Sequence, residues 1–329
     1  MKLINLLKRK ISARFNQAYN LDILIIHVKN IAKAKSKLVI CPENTGPNWL
    51  GIKNATLDLF PSQTFVIPQE YSNQIVTDTD LKFIIETFKS KAGNTVLLSG
   101  FPNYFFKIIH ICNEMGINVE FLYHGGLAEI NQNKNKQIQM AEILEYAKQG
   151  KLSKLYFIKE GLDKLFTKLT SVQSERIIPT LRMPENLNIQ RHNDGKVHIG
   201  IFGNNSYNKN RHTQVAAAAM INNSIIHIIG ENEFQYLLNP DRIVCHNQLN
   251  RKAFLEVLGS MHINLYCSYS ESWGQVVLES LSLGVPCIAG NNSGLQNHVE
   301  SEHKKLFIDT VDNPYIIVEK INEVINLYL

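Results

Sequence analysis

A chain of 329 residues with 44% hydrophobic and 19% charged side chains is too apolar to be disordered and long enough for two domains of ordinary size. Its net charge of +5 suits phosphate-bearing substrates or an anionic membrane surface and does not by itself point to nucleic acid. The five cysteines, Cys41, Cys112, Cys245, Cys267 and Cys287, are odd in number, widely spaced and without any Cys-x-x-Cys, so they read as small buried hydrophobes in a reducing compartment rather than a disulfide framework.

At the start of the chain, Leu3, Leu6, Leu7, Ile11 and Phe15 fall at helical spacing opposite Lys2, Lys8, Arg9 and Arg14. This predicts a basic amphipathic helix over residues 1–15, without the long apolar stretch of a signal peptide. Two readings stand: a foot on the anionic inner face of the cytoplasmic membrane, or a helix packed on the protein. Farther on, Leu24-Ile-Ile26 is soon broken by His27 and Lys29, and no run approaches the ~20 apolar residues that span a bilayer. The expected location is therefore cytoplasmic, with peripheral attachment under the first reading.

Short β-branched runs then alternate with helical-period segments, the pattern of parallel sheets covered by helices. In the first half, strands are predicted at 38–41, 64–67, 95–98, 119–123 and 154–158, and helices at 80–89, 104–115, 134–149 and 161–169. Thr45-Gly46-Pro-Asn-Trp49 follows the first strand and offers Thr45 and Gly46 as weak acceptor-side candidates. His124 falls where the 119–123 strand meets Gly125-Gly126, a place where backbone and side chain can both face a ligand; a structural histidine fits there as well. The polar stretch 184–196 carries Pro184 and Gly195 and lacks either period, so it reads as a linker. The expected domains are 1–189 and 190–329.

In the second half, strands are predicted at 197–202, 224–229, 242–244, 263–267 and 286–289, and helices at 212–220, 251–259, 274–283 and 314–327. After the first of these strands comes Phe202-Gly-Asn-Asn-Ser-Tyr-Asn-Lys-Asn-Arg-His212, where an open α/β sheet binds phosphate. Gly203 permits close backbone approach, and Lys209 or Arg211 can neutralise a diphosphate. A solvated basic loop capping a helix is the alternative.

The most informative stretch is Glu271-Ser-Trp-Gly-Gln-Val-Val-Leu-Glu279, followed by Ser280-Leu-Ser-Leu-Gly-Val-Pro286. Eight residues of helix rise about 12 Å, roughly the reach from a sugar across a diphosphate to a ribose. A helix start between the two carboxylates offers free N–H groups to phosphate, which brings Ser272, Trp273, Gly274 and Gln275 into the candidate site. An amphipathic helix with a solvated Glu at each end is the plainer reading of the same residues.

This segment resembles the E-x7-E signature of retaining GT-B glycosyltransferases, in particular the GT4-like group 1 enzymes. The resemblance implies two doubly wound Rossmann-like α/β domains facing a cleft, an acceptor-side domain first and a donor-binding domain second. It implies donor-sugar contact by Glu271, ribose contact by Glu279, diphosphate contact by Lys209 and a histidine near the donor sugar at His124. Such a family usually reads Gly-Arg, then a few residues, then Lys-Gly; here Asn204 stands at the Arg and Asn210 at the Gly, with Arg211 as a substitute cation.

The expected activity is retaining transfer of a sugar from a nucleotide-diphosphate sugar to a saccharide, lipid-linked saccharide or protein acceptor, in bacterial surface polysaccharide synthesis. No cofactor is expected, and the absence of His-Glu-x-x-His or similar spacing predicts no metal site. The rival readings are a catalytically silent GT-B subunit that binds a partner glycosyltransferase or glycan, and a nucleotide-sugar epimerase.

Overall fold

The computed structural model describes residues 21–43, 50–67, 77–91, 93–131 and 133–328. The amphipathic segment 1–15 and the Thr45 and Gly46 candidates lie outside them. The chain divides into two compact units, one running to His124 and from Asn133 to Thr180, the other comprising Gly125–Gln132 and Leu181–Leu329.

The first unit holds a six-stranded parallel sheet. Its elements are α1 (Leu21–Ala34), β1 (Lys37–Pro42), α2 (Leu50–Leu59), β2 (Thr64–Ile67), α3 (Asp78–Lys89), β3 (Thr95–Ser99), α4 (Phe105–Glu114), β4 (Asn118–Tyr123), α6 (Lys134–Lys148), β5 (Lys154–Phe157), α7 (Leu162–Thr170) and β6 (Ser174–Arg176); the short α5 (Leu127–Asn131) falls in the other unit. The strand order is β2-β1-β3-β4-β5-β6. Ile25, Val28, Ile31 and Ala32 place one buried stripe on α1, whose helix was not predicted. The α3 helix begins before the predicted residue 80 because Thr77 and Asp80 form a capping box, each side chain bonding the other's backbone N–H.

The second unit repeats the design with β7 (Val197–Ile201), α8 (Arg211–Ala219), β8 (Ser224–Ile229), β9 (Ile243–His246), α9 (Arg251–Ser260), β10 (Ile263–Tyr266), α10 (Gln275–Ser282), β11 (Cys287–Gly290), β12 (Phe307–Ile308) and α11 (Pro314–Tyr328). Its parallel order is β12-β11-β10-β7-β8-β9. The chain winds outward from β7 through β8 to β9, then returns to lay β10 on the other side of β7. That reversal leaves a crevice at the carboxyl ends of β7 and β10, where open α/β sheets bind ligands.

Side-chain alternation sorts the two faces of this sheet. Ile199 and Ile201 join Val215, Ile226, Ile228, Leu265, Ile288, Ile317 and Ile321 in a closed core under α8 and α11. Each such side chain contributes about 1.5–3 kcal/mol on burial. On the opposite face Phe202 packs with Leu255, Leu258, Met261 and Val285. Gly200 lies between them because an added Cβ would meet Asn264 Oδ1 at 2.1 Å.

The stretch 184–196 does not hang as a linker. It belongs to the second unit, and the division falls between Thr180 and Leu181 instead of at the expected 189/190. The reason is a set of contacts that its polar composition hides. Ile189 packs onto Gly259, Arg191 donates to the Leu283 and Gly284 carbonyls, and Asn188 N–H donates to Glu256.

Candidate active site

Two loops flank the crevice. The first leaves β7 at Phe202, turns through a 3-10 segment at Tyr207–Lys209 and enters α8. An added Cβ on Gly203 would stand 3.2 Å from Lys209 Cβ, so the Lys209 stem lies against the glycine backbone. Asn204 closes its own turn, its Oδ1 accepting from Ser206 N–H at 3.2 Å and from the Ser206 hydroxyl. The second loop leaves β10 at Cys267 and enters α10 through Gly274, whose φ of +94° favours glycine.

The loops are stitched together by amides. Tyr269 N–H donates to Asn208 O at 2.8 Å, and Asn210 Nδ2 donates to Cys267 O at 3.0 Å and Val311 O at 2.6 Å. Asn210 sits at φ +52°, a left-handed conformation that asparagine tolerates better than other side-chain-bearing residues. The departure from glycine at this position therefore keeps the backbone shape and adds two hydrogen bonds. Gln214, fully inside, donates to Lys209 O at 2.7 Å and accepts from Cys267 N–H at 2.9 Å.

Held by this frame, the Lys209 ammonium donates to the Glu271 carboxylate and to the Tyr266 hydroxyl at 3.0 Å, and it lies 5.1 Å from the centre of the Tyr266 ring. Burial alone would lower the Lys209 pKa; the adjoining Glu271 carboxylate and Tyr266 hydroxyl outweigh it and raise it. Burial and the same carboxylate raise the Tyr266 phenol, which stays protonated. The cluster is thus a fixed cation beside a carboxylate at the topological switch point.

Around it stand polar atoms with no hydrogen-bond partner. The buried hydroxyls of Ser268 and Ser272, and the Nε2 of Gln275 at the first position of α10, are among them. No side chain caps the α10 start. Each unpaired buried group costs about 1–3 kcal/mol, so their concentration along one loop marks a surface shaped for a polar ligand. Trp273 is buried with its ring 5.2 Å from that of His298.

The other candidates are placed differently. Glu279 is buried within α10, its Oε1 3.8 Å from Nη2 of Arg251 on α9. Arg211 is buried at the start of α8, 3.7 Å from Glu233 and over the Phe234 ring at 5.4 Å. Its Nε and Nη2 lack hydrogen-bond partners, and burial lowers its pKa against the pull of Glu233. The structure therefore brings Lys209 and Glu271 into contact, while Arg211 pairs with Glu233 and Glu279 with Arg251.

In the first unit, His124 Nε2 lies 2.8 Å from Ser99 Oγ, which is 2.6 Å from Thr56 Oγ1, and Thr56 donates to Ile52 O at 2.7 Å. Because the single Thr56 hydroxyl proton goes to Ile52, Ser99 donates to Thr56 and accepts from His124 Nε2–H. That fixes the neutral tautomer and leaves Nδ1 as an acceptor. Burial pushes the imidazole pKa down to about 4.

Tyr266, Asn208, Gln214, Arg251 and Glu233 were not foreseen. Gln214 alone carried a usable signal, a long polar side chain in an alanine-rich helix; Tyr266 acts through its hydroxyl and ring and Asn208 through its backbone carbonyl, contacts that no local pattern encodes.

Two doubly wound units, each with a six-stranded parallel sheet, are the GT-B architecture. Residues 183–328 match the family described as glycosyl transferases group 1. No curated protein sequence matches the chain. Among solved structures, the Anabaena protein HepE, determined in complex with UDP-glucose, is similar with a TM-score of 0.66 at 11% identity over 88% of this chain and 89% of that one. Sucrose-phosphate synthase from Thermosynechococcus elongatus is similar with a TM-score of 0.62 at 14% identity, over 89% and 90%. The lipopolysaccharide outer core galactosyltransferase WaaB in its apo form gives 0.55 at 12%, over 88% and 90%. The match spans the second unit, and together with the fold it supports a glycosyl transfer enzyme. Among the described residues, no helix is long and apolar enough to cross a membrane.

Proposed function

We propose that this enzyme transfers a sugar with retention from a nucleotide-diphosphate sugar to a saccharide or lipid-linked saccharide. The observation that carries the reading is the Lys209–Glu271–Tyr266 cluster beside the unpaired Ser268, Ser272 and Gln275 groups and the uncapped start of α10. A diphosphate entering there exchanges the Lys209–Glu271 pair for two new ones. Lys209 and the α10 N–H groups take the phosphate oxygens, and the released Glu271 carboxylate accepts from sugar hydroxyls. As the glycosidic bond to the diphosphate lengthens, negative charge grows on the leaving group next to a permanent cation. Glu279 takes the ribose hydroxyls. In the first unit, His124 is neutral at pH 7, and its Nδ1 lone pair can accept from a hydroxyl.

The basic, amphipathic sequence pattern of residues 1–15 inclines the acceptor toward a membrane-linked glycan, as in bacterial surface polysaccharide synthesis. Flotation on anionic liposomes of the full chain and of a chain lacking residues 1–15 tests that part; equal partitioning removes it. Incubation with a panel of nucleotide sugars, with and without saccharide acceptors, followed by NMR of the product, tests the rest. Transfer with the donor's anomeric configuration is expected. An inverted product contradicts retention, and an altered free sugar nucleotide formed without acceptor identifies an epimerase instead.

A further inference from the structure

Five histidines scattered through residues 192–262 converge on the face of the second sheet that lies away from its main core. His198 on β7 and His227 on β8 share that face, because His198 pairs in register with Ile225, two residues before His227. His198 Nδ1 lies 2.8 Å from His227 Nε2. The His192 ring stacks on His198 with centroids 3.6 Å apart and planes 3° from parallel. One ligand atom of each of these three lies within 4.8 Å of the others. His198 and His227 are buried and His192 half-buried.

The surroundings supply orienting partners. Asp194 Oδ1 lies 3.0 Å from His198 Nε2, and His246 Nε2 lies 3.0 Å from His227 Nδ1. Two of the three imidazoles thus have their far nitrogen held by another group, the arrangement that sets tautomer and ring direction in histidine metal sites. His262 is otherwise engaged, its Nδ1 accepting from the His198 backbone N–H at 2.9 Å.

We propose that His192, His198 and His227 bind one divalent transition-metal ion, Zn2+ by its preference for imidazole in four-coordinate geometry, with water as fourth ligand. Two nitrogens at 2.0–2.1 Å from a tetrahedral ion stand about 3.3 Å apart, so the His198–His227 pair opens by about half an ångström, and the His192 ring turns out of its stack on His198 to aim a nitrogen at the ion. The proton count is conserved. Without metal, His227 Nε2–H donates to His198 Nδ1 and His246 Nε2–H donates to His227 Nδ1. With metal, the single proton of His227 moves to Nδ1 and bonds His246 Nε2, and that of His246 moves to its own Nδ1. His198 keeps its proton on Nε2, donating to Asp194 throughout. The ion fastens the segment 184–196, which carries His192 and no regular structure, to β7 and β8. The spacing of these histidines along the chain matches no compact motif, which is why the sequence led to the expectation of no metal site.

The test is equilibrium dialysis of the full chain, prepared without a polyhistidine tag, against Zn2+, with elemental analysis and 15N NMR of the imidazoles. The expected result is one Zn2+ per chain, with His227 and His246 changing from Nε2–H to Nδ1–H. Affinity is expected to fall tenfold or more in His198→Gln and in His192→Gln and to stay unchanged in His303→Gln, which alters a half-buried histidine of a separate cluster beside Glu300 and Glu302. His192 lies outside the sheet, so its variant keeps the test open if His198→Gln fails to fold. No uptake by the wild-type chain, or uptake that His192→Gln leaves unchanged, overturns the proposal.

Discussion

Lys209 and Glu271 hold each other at the mouth of the second sheet, with the Tyr266 hydroxyl 3.0 Å from the same ammonium. A buried pair of this kind is costly to break from one side, because the remaining charge loses its counter-charge in a site largely shielded from water. Lys209→Met is expected to destabilise the second unit by about 3 kcal/mol. Lys209→Met combined with Glu271→Gln is expected to recover most of that loss while remaining inactive. Urea unfolding of the three proteins checks it; a double variant no more stable than the single one contradicts the pairing.

Asn210 joins the two site loops through one side chain. Asn210→Gly keeps the left-handed backbone and loses the bonds to Cys267 O and Val311 O, for an expected cost of about 1–2 kcal/mol. Asn210→Ala loses the same bonds and adds a Cβ to a positive-φ site, for about 1 kcal/mol more. Thermal or urea denaturation should therefore rank Asn, Gly and Ala in that order. Equal stability of the three would show that the amide does not join the loops.

His124 has a folded pKa of about 4 against an ordinary 6.5. As pH falls from 6.5 to 4, the unfolded chain takes up the proton first, so folding stability present above pH 6.5 is progressively lost. The full effect is roughly 3 kcal/mol, and His227, with a folded pKa of about 3, acts in the same direction. His124→Gln should lose about 2 kcal/mol less than the wild type between pH 7 and pH 4.5. Unfolding curves at the two pH values decide it, and parallel losses in both proteins contradict the burial argument. The pH dependence of transfer is expected to show no titration assignable to His124 between pH 6 and 9.

Arg251 lies 3.8 Å from Glu279, between α9 and α10. Arg251→Met should weaken nucleotide binding without abolishing it, since it removes the cation beside a buried carboxylate and leaves the carboxylate in place. A calorimetric affinity equal to wild type would show that Arg251 has no part in orienting Glu279.

The alternation of β-branched runs with helical periods exposed most of both sheets, because buried parallel strands are near-continuous apolar runs. The strands at Thr64–Ile67 and Ser224–Ile229 have the bounds the pattern predicts. The strand β6, Ser174-Glu-Arg176, was missed because an edge strand of three polar residues has neither period nor apolar content. Lys209, Glu271 and Gly274 were legible because each performs a task that few residue types can do. Arg211 and Glu279 were legible as residues and not as contacts, since their neighbours Glu233 and Arg251 come from elements far away in the chain. The five-histidine face was invisible for the same reason: it is assembled by strand register, which no local pattern encodes.

The central claim is that the turn between β10 and α10 grips a nucleotide diphosphate, with Glu279 on its ribose. Isothermal titration of free nucleoside diphosphates into the wild-type chain and Glu279→Ala tests it most directly. The account predicts one-to-one binding of at least one nucleotide by the wild type, weakened in the variant by about 1.5–3 kcal/mol, or roughly tenfold to more than a hundredfold. Equal affinity in the two proteins contradicts it.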